Sequence, residues 1–349
     1  MFDRRFAARV SAALCSIFLI PAAFAAHLHV ENFGVDANTC GAGDPCRSIG
    51  MAIQRASAGD VILVGPGIYG DVNQNGTLGE PGEETGEIGF GCNCLVKVDR
   101  AVTILSTGGA QVTRIDARSI YTANTLTYGV HITADNVVFG ARDRGFRISA
   151  GSNFGVFIES AHAKVSGNLT TGPGGGFWAG GQSNELDSDL AVSDGEGFLI
   201  TEANNTVTRS VASGTRDFGF VVSRGSVRSG PTGIVLSHDV SIGNQQGFNI
   251  LGSANLDKVA AVGNPGGGIV LRSGAIVNVT NSNIYGNGIA GGCGVIDQSE
   301  GSTVVVSNSF WGAPTGPGPA PADSVCDDDG TTTLVPSVAP HAFDISPDR

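Results

Sequence analysis

The residues best suited to chemistry lie in one acidic loop. Asp71-Val-Asn73-Gln-Asn75-Gly76 places an oxygen-bearing side chain at every second position and ends on glycine. That spacing converges alternate oxygens on a Ca2+ ion, while the glycine makes the sharp turn. Glu80 and Glu83 follow as carboxylates, so Asp71, Asn73, Asn75, Glu80 and Glu83 are the expected Ca2+ ligands. Position twelve is Gly82 rather than glutamate and no helices flank the loop, so the motif is not an EF-hand. A solvated acidic loop is the competing reading.

A second set comes from turns. Asp194 and Glu196, then Arg216 and Asp217, then Gln245 and Gln246 each precede a glycine-led strand. Stacked together, carboxylates beside an arginine serve as acid, base or sugar-binding groups. The plainer alternative is a surface ion pair of Glu196 with Arg216, worth about 0–1 kcal/mol. Phe157 and Trp178 offer aromatic faces on which sugar rings stack, with Gln246 as a polar partner in substrate binding. His238-Asp239, and His162 with Lys164, read as turn residues.

A repeated unit must position these groups. Glycine followed by apolar–x–apolar recurs at Gly129, Gly155, Gly176, Gly197, Gly219, Gly247, Gly268 and Gly294, at intervals of 26, 21, 21, 22, 28, 21 and 26 residues. A period near 21 with loop-sized excursions marks a solenoid whose every coil is built of parallel strands. Strand residues alternate faces, so the first residue after each glycine points inward. Phe177, Phe198, Phe220 and Phe248 therefore form a stacked core ladder. The next residue points outward and reads His131, Phe157, Trp178, Leu199, Val221, Asn249, Val270 and Ile296. Such an apolar stripe calls for a cover, a second copy of the chain or a ligand.

The ends and the cysteines set the compartment. Arg4, Arg5 and Arg9, an apolar run from Val10 to Ile20 and Ala23-Phe24-Ala25 read as a signal peptide over 1–25. The chain is thus expected to be secreted, extracellular or periplasmic, without membrane insertion. Cys40, Cys46, Cys92, Cys94, Cys293 and Cys326 remain, an even set that favours disulfides in an exported chain. Cys40–Cys46 and Cys293–Cys326 are the expected pairs. Cys92 and Cys94 either close a tight ring together or pair with Cys40 and Cys46. The formal charge of −12 becomes −14 once Asp3, Arg4, Arg5 and Arg9 leave, which repels nucleic acid and anionic membranes.

Ile49, Ala52, Ile53 and Ala56 fall on one helical face, with Ser48 as N-cap and Gly59 as stop. The expected organisation is an N-terminal cap over 26–70, a polar loop over 71–94, coils over 95–311 and an irregular tail over 312–349.

Asp44-Pro-Cys-Arg-Ser-Ile49 with Ala58-Gly-Asp-Val-Ile-Leu-Val-Gly-Pro-Gly-Ile-Tyr69, the glycine-led triplets, and Asn308-Ser-Phe-Trp-Gly312 resemble the pectin-lyase-like superfamily. The resemblance implies an all-β fold: a single-stranded right-handed parallel β-helix solenoid, with an N-terminal capping helix and an irregular C-terminal tail. It also implies a role among polysaccharides, since lyases of this kind carry Ca2+-binding aspartates and an Arg or Lys that abstracts a proton beside one sheet. Here the corresponding outward residues are apolar, so catalysis is not evident. The reading reached is a polysaccharide-binding exported protein. The alternatives are a polysaccharide lyase or glycoside hydrolase using Asp194, Glu196, Arg216 and Asp217, and a structural or adhesive surface protein that associates through the stripe.

Overall fold

The computed structural model describes residues 25–346 except 85, 88–91, 119–126, 150, 194, 224–229, 273, 289–291, 298–299, 328–331 and 336–337. The leader expected over 1–25 lies almost wholly outside the described residues, and so does Asp194. The described strands form three sheets of twelve, ten and nine strands. One coil shows the path. Val156–Ile158 joins the ten-stranded sheet, Lys164–Ser166 the twelve-stranded and Leu169–Gly172 the nine-stranded, before Phe177–Ala179 returns to the first. Val156 and Phe177 are parallel register partners, so one coil is one repeat.

The repeated glycine has a steric cause. A Cβ at Gly176 would lie 2.4 Å from the carbonyl oxygen of Gly197, and one at Gly197 equally close to that of Gly219. The turn into the ten-stranded sheet therefore packs backbone on backbone from coil to coil, leaving no room for a side chain.

Inside, Phe177, Phe198, Phe220 and Phe248 stack with ring centroids 5.0, 4.7 and 4.9 Å apart and planes within 13° of parallel. That spacing is the distance between neighbouring strands, so each ring lies flat on the next. All four are fully buried. Corners between sheets are held by ladders of polar side chains. Asn184 Oδ1 accepts from Ala163 N, and Asn205 Oδ1 accepts from Asn184 N, each at 2.8 Å. Asn168, Asp189, Ser210 and Asp239 make the same ladder at the next corner. The residues just before these rungs, among them Ser188, Arg209 and His238, take positive φ to turn the chain. His162 also sits in a positive-φ turn.

Two expectations need correction. The winding begins before residue 95, because His27–Val30, Val61–Val64 and Thr103–Ser106 already pair as successive rungs. The tail is not wholly irregular either. Ser324–Asp327 pairs with Cys293–Asp297, and Thr332–Leu334 with Thr303–Ser307, adding a further partial coil. The helix Ile49–Arg55 starts at Ser48, whose hydroxyl accepts from Met51 N, and packs Ile49, Ala52 and Ile53 into the core. It ends at Ala56 rather than running on to Gly59.

Disulfides join Cys40 to Cys46, Cys92 to Cys94 and Cys293 to Cys326. The alternative cross-pairing of the first four cysteines does not form.

Candidate functional site

The outward residues of the ten-stranded sheet fall in one register column. Lys97 pairs with His131, His131 with Phe157, Phe157 with Trp178 and Trp178 with Leu199; Val221, Asn249, Val270 and Ile296 continue the line. Chemistry concentrates at its N-terminal half. Phe157 stacks on Trp178 at 4.3 Å and on His131 at 4.7 Å. Tyr128 lies 4.9 Å from Phe157, and Phe154 lies 5.6 Å from Trp178. Phe157, Trp178 and Tyr128 are half-buried, so each keeps part of its ring open to solvent. The indole Nε1 of Trp178 donates to Thr201 Oγ1 at 3.0 Å, which fixes the ring in plane.

The stripe is not exposed along its whole length. Val221, Asn249 and Val270 are buried, and Asn249 is engaged by Gln246 and Arg272. Phe157, Trp178, Leu199 and Ile296 keep partial exposure, so the accessible apolar surface is broken rather than continuous.

A polar rim borders the aromatic patch. His131 Nε2 lies 2.9 Å from Glu159 Oε2, and its Nδ1 lies 3.1 Å from Cys92 Sγ. Burial pushes the His131 imidazole below its ordinary range, against the opposing pull of Glu159. The contact is thus a hydrogen bond from neutral imidazole more than an ion pair. Cys92, Cys94 and His131 gather ligand atoms within 4.8 Å of one another. With the two sulfurs bonded to each other, thiolate ligation is not available there. Lys97 pairs with Glu87 at 3.0 Å.

The turn residues Glu196, Asp217 and Gln246 do stand on neighbouring coils. Gly197 N donates to Phe218 O, and Gln246 N donates to Asp217 O, each at 2.9 Å. Burial, and then the charge of Asp217, raises the Glu196 carboxyl above its ordinary value. Arg216 and Asp217 are exposed, and Gln246 is half-buried with Oε1 accepting from Asn249. These groups border the column two, three and four coils beyond Phe157.

In the acidic loop, Asp71 Oδ1 and Oδ2 accept from Asn75 N and Gly76 N at 3.2 and 2.6 Å. Glu80 Oε2 accepts from the amides of Asn73 and Asn75, and Glu83 Oε1 accepts from Asn73 N. The five side chains are therefore linked within one loop, Asp71 and Glu83 buried and Asn73 and Asn75 exposed.

Sequence reasoning missed several groups. Tyr128 and Phe154 directly precede the repeat glycines Gly129 and Gly155, and Glu159 follows its triplet. Their signal was position relative to the repeat. It also missed a groove of about 380 Å3 lined by Gln111, Arg142, Asp143, Asp189 and Arg209. Beneath it Asp189 is buried, and its Oδ2 has no hydrogen-bond partner. Burial outweighs the Asn168 donors and raises its carboxyl to about 8.

No protein-family model matches the chain, and no curated protein is similar to it in sequence. Solved structures are similar to it in shape. A pectate lyase, Pel9A, superposes with TM-score 0.64 at 16% identity, over 91% of this chain and 81% of that one. A rhamnogalacturonan lyase gives 0.60 at 14%, over 89% and 87%. The A-module of mannuronan C-5 epimerase AlgE6 from Azotobacter vinelandii gives 0.51 at 15%, over 82% and 92%. At these identities the likeness is one of fold.

Proposed function

We propose that this chain, which has the right-handed parallel β-helix fold of the pectin-lyase-like superfamily, is an exported protein that binds extracellular or cell-surface polysaccharide. The observation carrying this is the Phe157–Trp178 stack on the outward face, flanked by Tyr128 and Phe154. Aromatic faces held rigid by their neighbours suit the apolar faces of pyranose rings, and successive coils set them along a chain-like track. Glu159 and Lys97 border the track with polar groups, and Gln246 follows three coils beyond Trp178. The three solved structures of similar shape are named for lyases or an epimerase, which supports a polysaccharide as the ligand class. Export is supported by the three disulfides. Among the described residues no helix is long and apolar enough to cross a membrane.

A catalytic reading rests on Glu196, whose raised carboxyl stands near Asp217 with Arg216 on the same turn. One incubation separates the readings. Purified protein is mixed with a panel of neutral and uronate polysaccharides, then assayed for retention and for new unsaturated or reducing ends. Retention without new ends is expected. New ends that vanish in Glu196→Gln would replace binding by catalysis. Absence of both, with self-association, would favour a structural surface role.

A further inference from the structure

We propose that the 71–84 loop is a calcium site, with Asp71, Asn73, Asn75, Glu80 and Glu83 as its side-chain ligands. The neck of the loop is closed by backbone. Gly70, which ends the strand Gly67–Gly70, accepts through its carbonyl from Glu84 N at 3.2 Å, so positions 71 and 83 face each other. Glu84 is in turn fastened to the start of the helix, where its carboxylate accepts from Ile49 N at 2.6 Å and Gly50 N at 3.1 Å. The loop interior is therefore held in place from both ends.

The oxygens inside are more than an acidic cluster. Glu83 is only 3% exposed; its Oε1 takes a long hydrogen bond from Asn73 N, and its Oε2 has no partner at all. A buried carboxylate oxygen without a donor is costly and requires a compensating positive charge. Asp71 is also 3% exposed. Among the described residues no lysine or arginine pairs with Asp71, Glu80 or Glu83. The nearby buried guanidinium, Arg47, donates from Nη2 to Ile68 O and lies over the Tyr69 ring; its Nη1 has no partner, yet it forms no ion pair with Glu83. A cation bound in the loop would supply the positive charge that no ion pair among the described residues gives Glu83.

The donor set selects the ion. Three carboxylates and two carboxamide oxygens form an all-oxygen site, suited to a hard cation. The amides of Asn73 and Asn75 turn Nδ2 toward Glu80 Oε2 while their Oδ1 atoms accept from Asn75 N and Thr77 N, bonds that a half-rotation presenting oxygen to an ion would exchange for it. Gly76, at φ +83, makes the turn that lets Asp71 collect two backbone donors. Glu83 stands at the thirteenth position from Asp71, one beyond the usual bidentate glutamate, so the cage is one residue larger than an EF-hand loop. An all-oxygen cage of five or more ligands suits Ca2+ better than Mg2+, which demands a tight octahedron and releases water reluctantly.

The test uses the mature chain, stripped with chelator and free of glycan, so its outcome is independent of polysaccharide binding. Calorimetric titration with CaCl2 is expected to give one ion per chain. Saturating Ca2+ is expected to raise Tm by about 3 °C or more, and an equal concentration of Mg2+ by less. Glu83→Gln and Glu80→Gln each keep the side-chain shape and are expected to weaken Ca2+ about tenfold or more. Glu185→Gln, which alters an exposed carboxylate on a distant coil, is expected to bind as the parent does. Heat-free titration with an unmoved Tm would overturn the proposal. Equal weakening in Glu185→Gln would also overturn it, by showing only diffuse attraction to an acidic surface.

Discussion

Phe157 and Trp178 occupy the same outward position on adjacent coils, with ring centroids 4.3 Å apart and planes tilted by 28°. The coil spacing sets the distance, and the Trp178–Thr201 hydrogen bond sets the orientation. Neither ring is needed to fill the interior, which the phenylalanine ladder on the other face already occupies. An aromatic surface built by the repeat, yet not used by the core, is the feature on which the proposed glycan binding rests.

Trp178→Ala is therefore expected to weaken polysaccharide retention by about 3- to 10-fold, the value of one aromatic contact. Its thermal unfolding should move little, because the ring is half-buried. Affinity electrophoresis beside a melting curve checks both.

The inner ladder should behave oppositely. Phe220→Ala removes a fully buried ring that stacks on Phe198 and Phe248. A loss of about 3–5 kcal/mol in denaturant unfolding is expected, and any glycan bound by the remaining folded protein should be held as before.

Asp189 gives a pH signature. Its carboxyl is raised to about 8 by burial beside the Asn168 and Ser210 rungs. The folded state thus holds a proton that the unfolded chain releases near pH 4. Stability from this group is complete below about pH 4 and falls as pH climbs through about 8. Asp189→Asn supplies the amide that Asn168 already uses at the preceding rung. The variant should match the parent near pH 4 and melt higher near pH 8.

The Cys293–Cys326 bridge spans 33 residues and fastens the added strand Ser324–Asp327 to the last complete coil. Replacing both cysteines by alanine should cost about 3–4 kcal/mol. Limited proteolysis should then cut first in the tail.

How far the chain could be read in advance follows from what repeats. The glycine-led triplets and the alternation of faces gave both the Phe177–Phe248 ladder and the Phe157–Trp178 column, because each depends on a period of two within a period near 21. The corner ladders were less legible. Asn184 and Asn205 recur at the same period, but a lone polar residue in a turn looks like any other until its backbone donors are seen. Ser324–Asp327 and Thr332–Leu334 escaped notice because no glycine leads them. The exposed stripe was overestimated, since burial of Val221 and Val270 depends on tertiary neighbours that no pattern within one strand encodes.

The most direct measurement of the binding claim uses the protein's own fluorescence. The chain has two tryptophans, and Trp311 is only 2% exposed, so a ligand on the outward face reports through Trp178. Titrating a retained oligosaccharide should give a saturable change in emission that Trp178→Phe removes. Retention with emission unchanged, or the same change in Trp178→Phe, would contradict a glycan seated on this face.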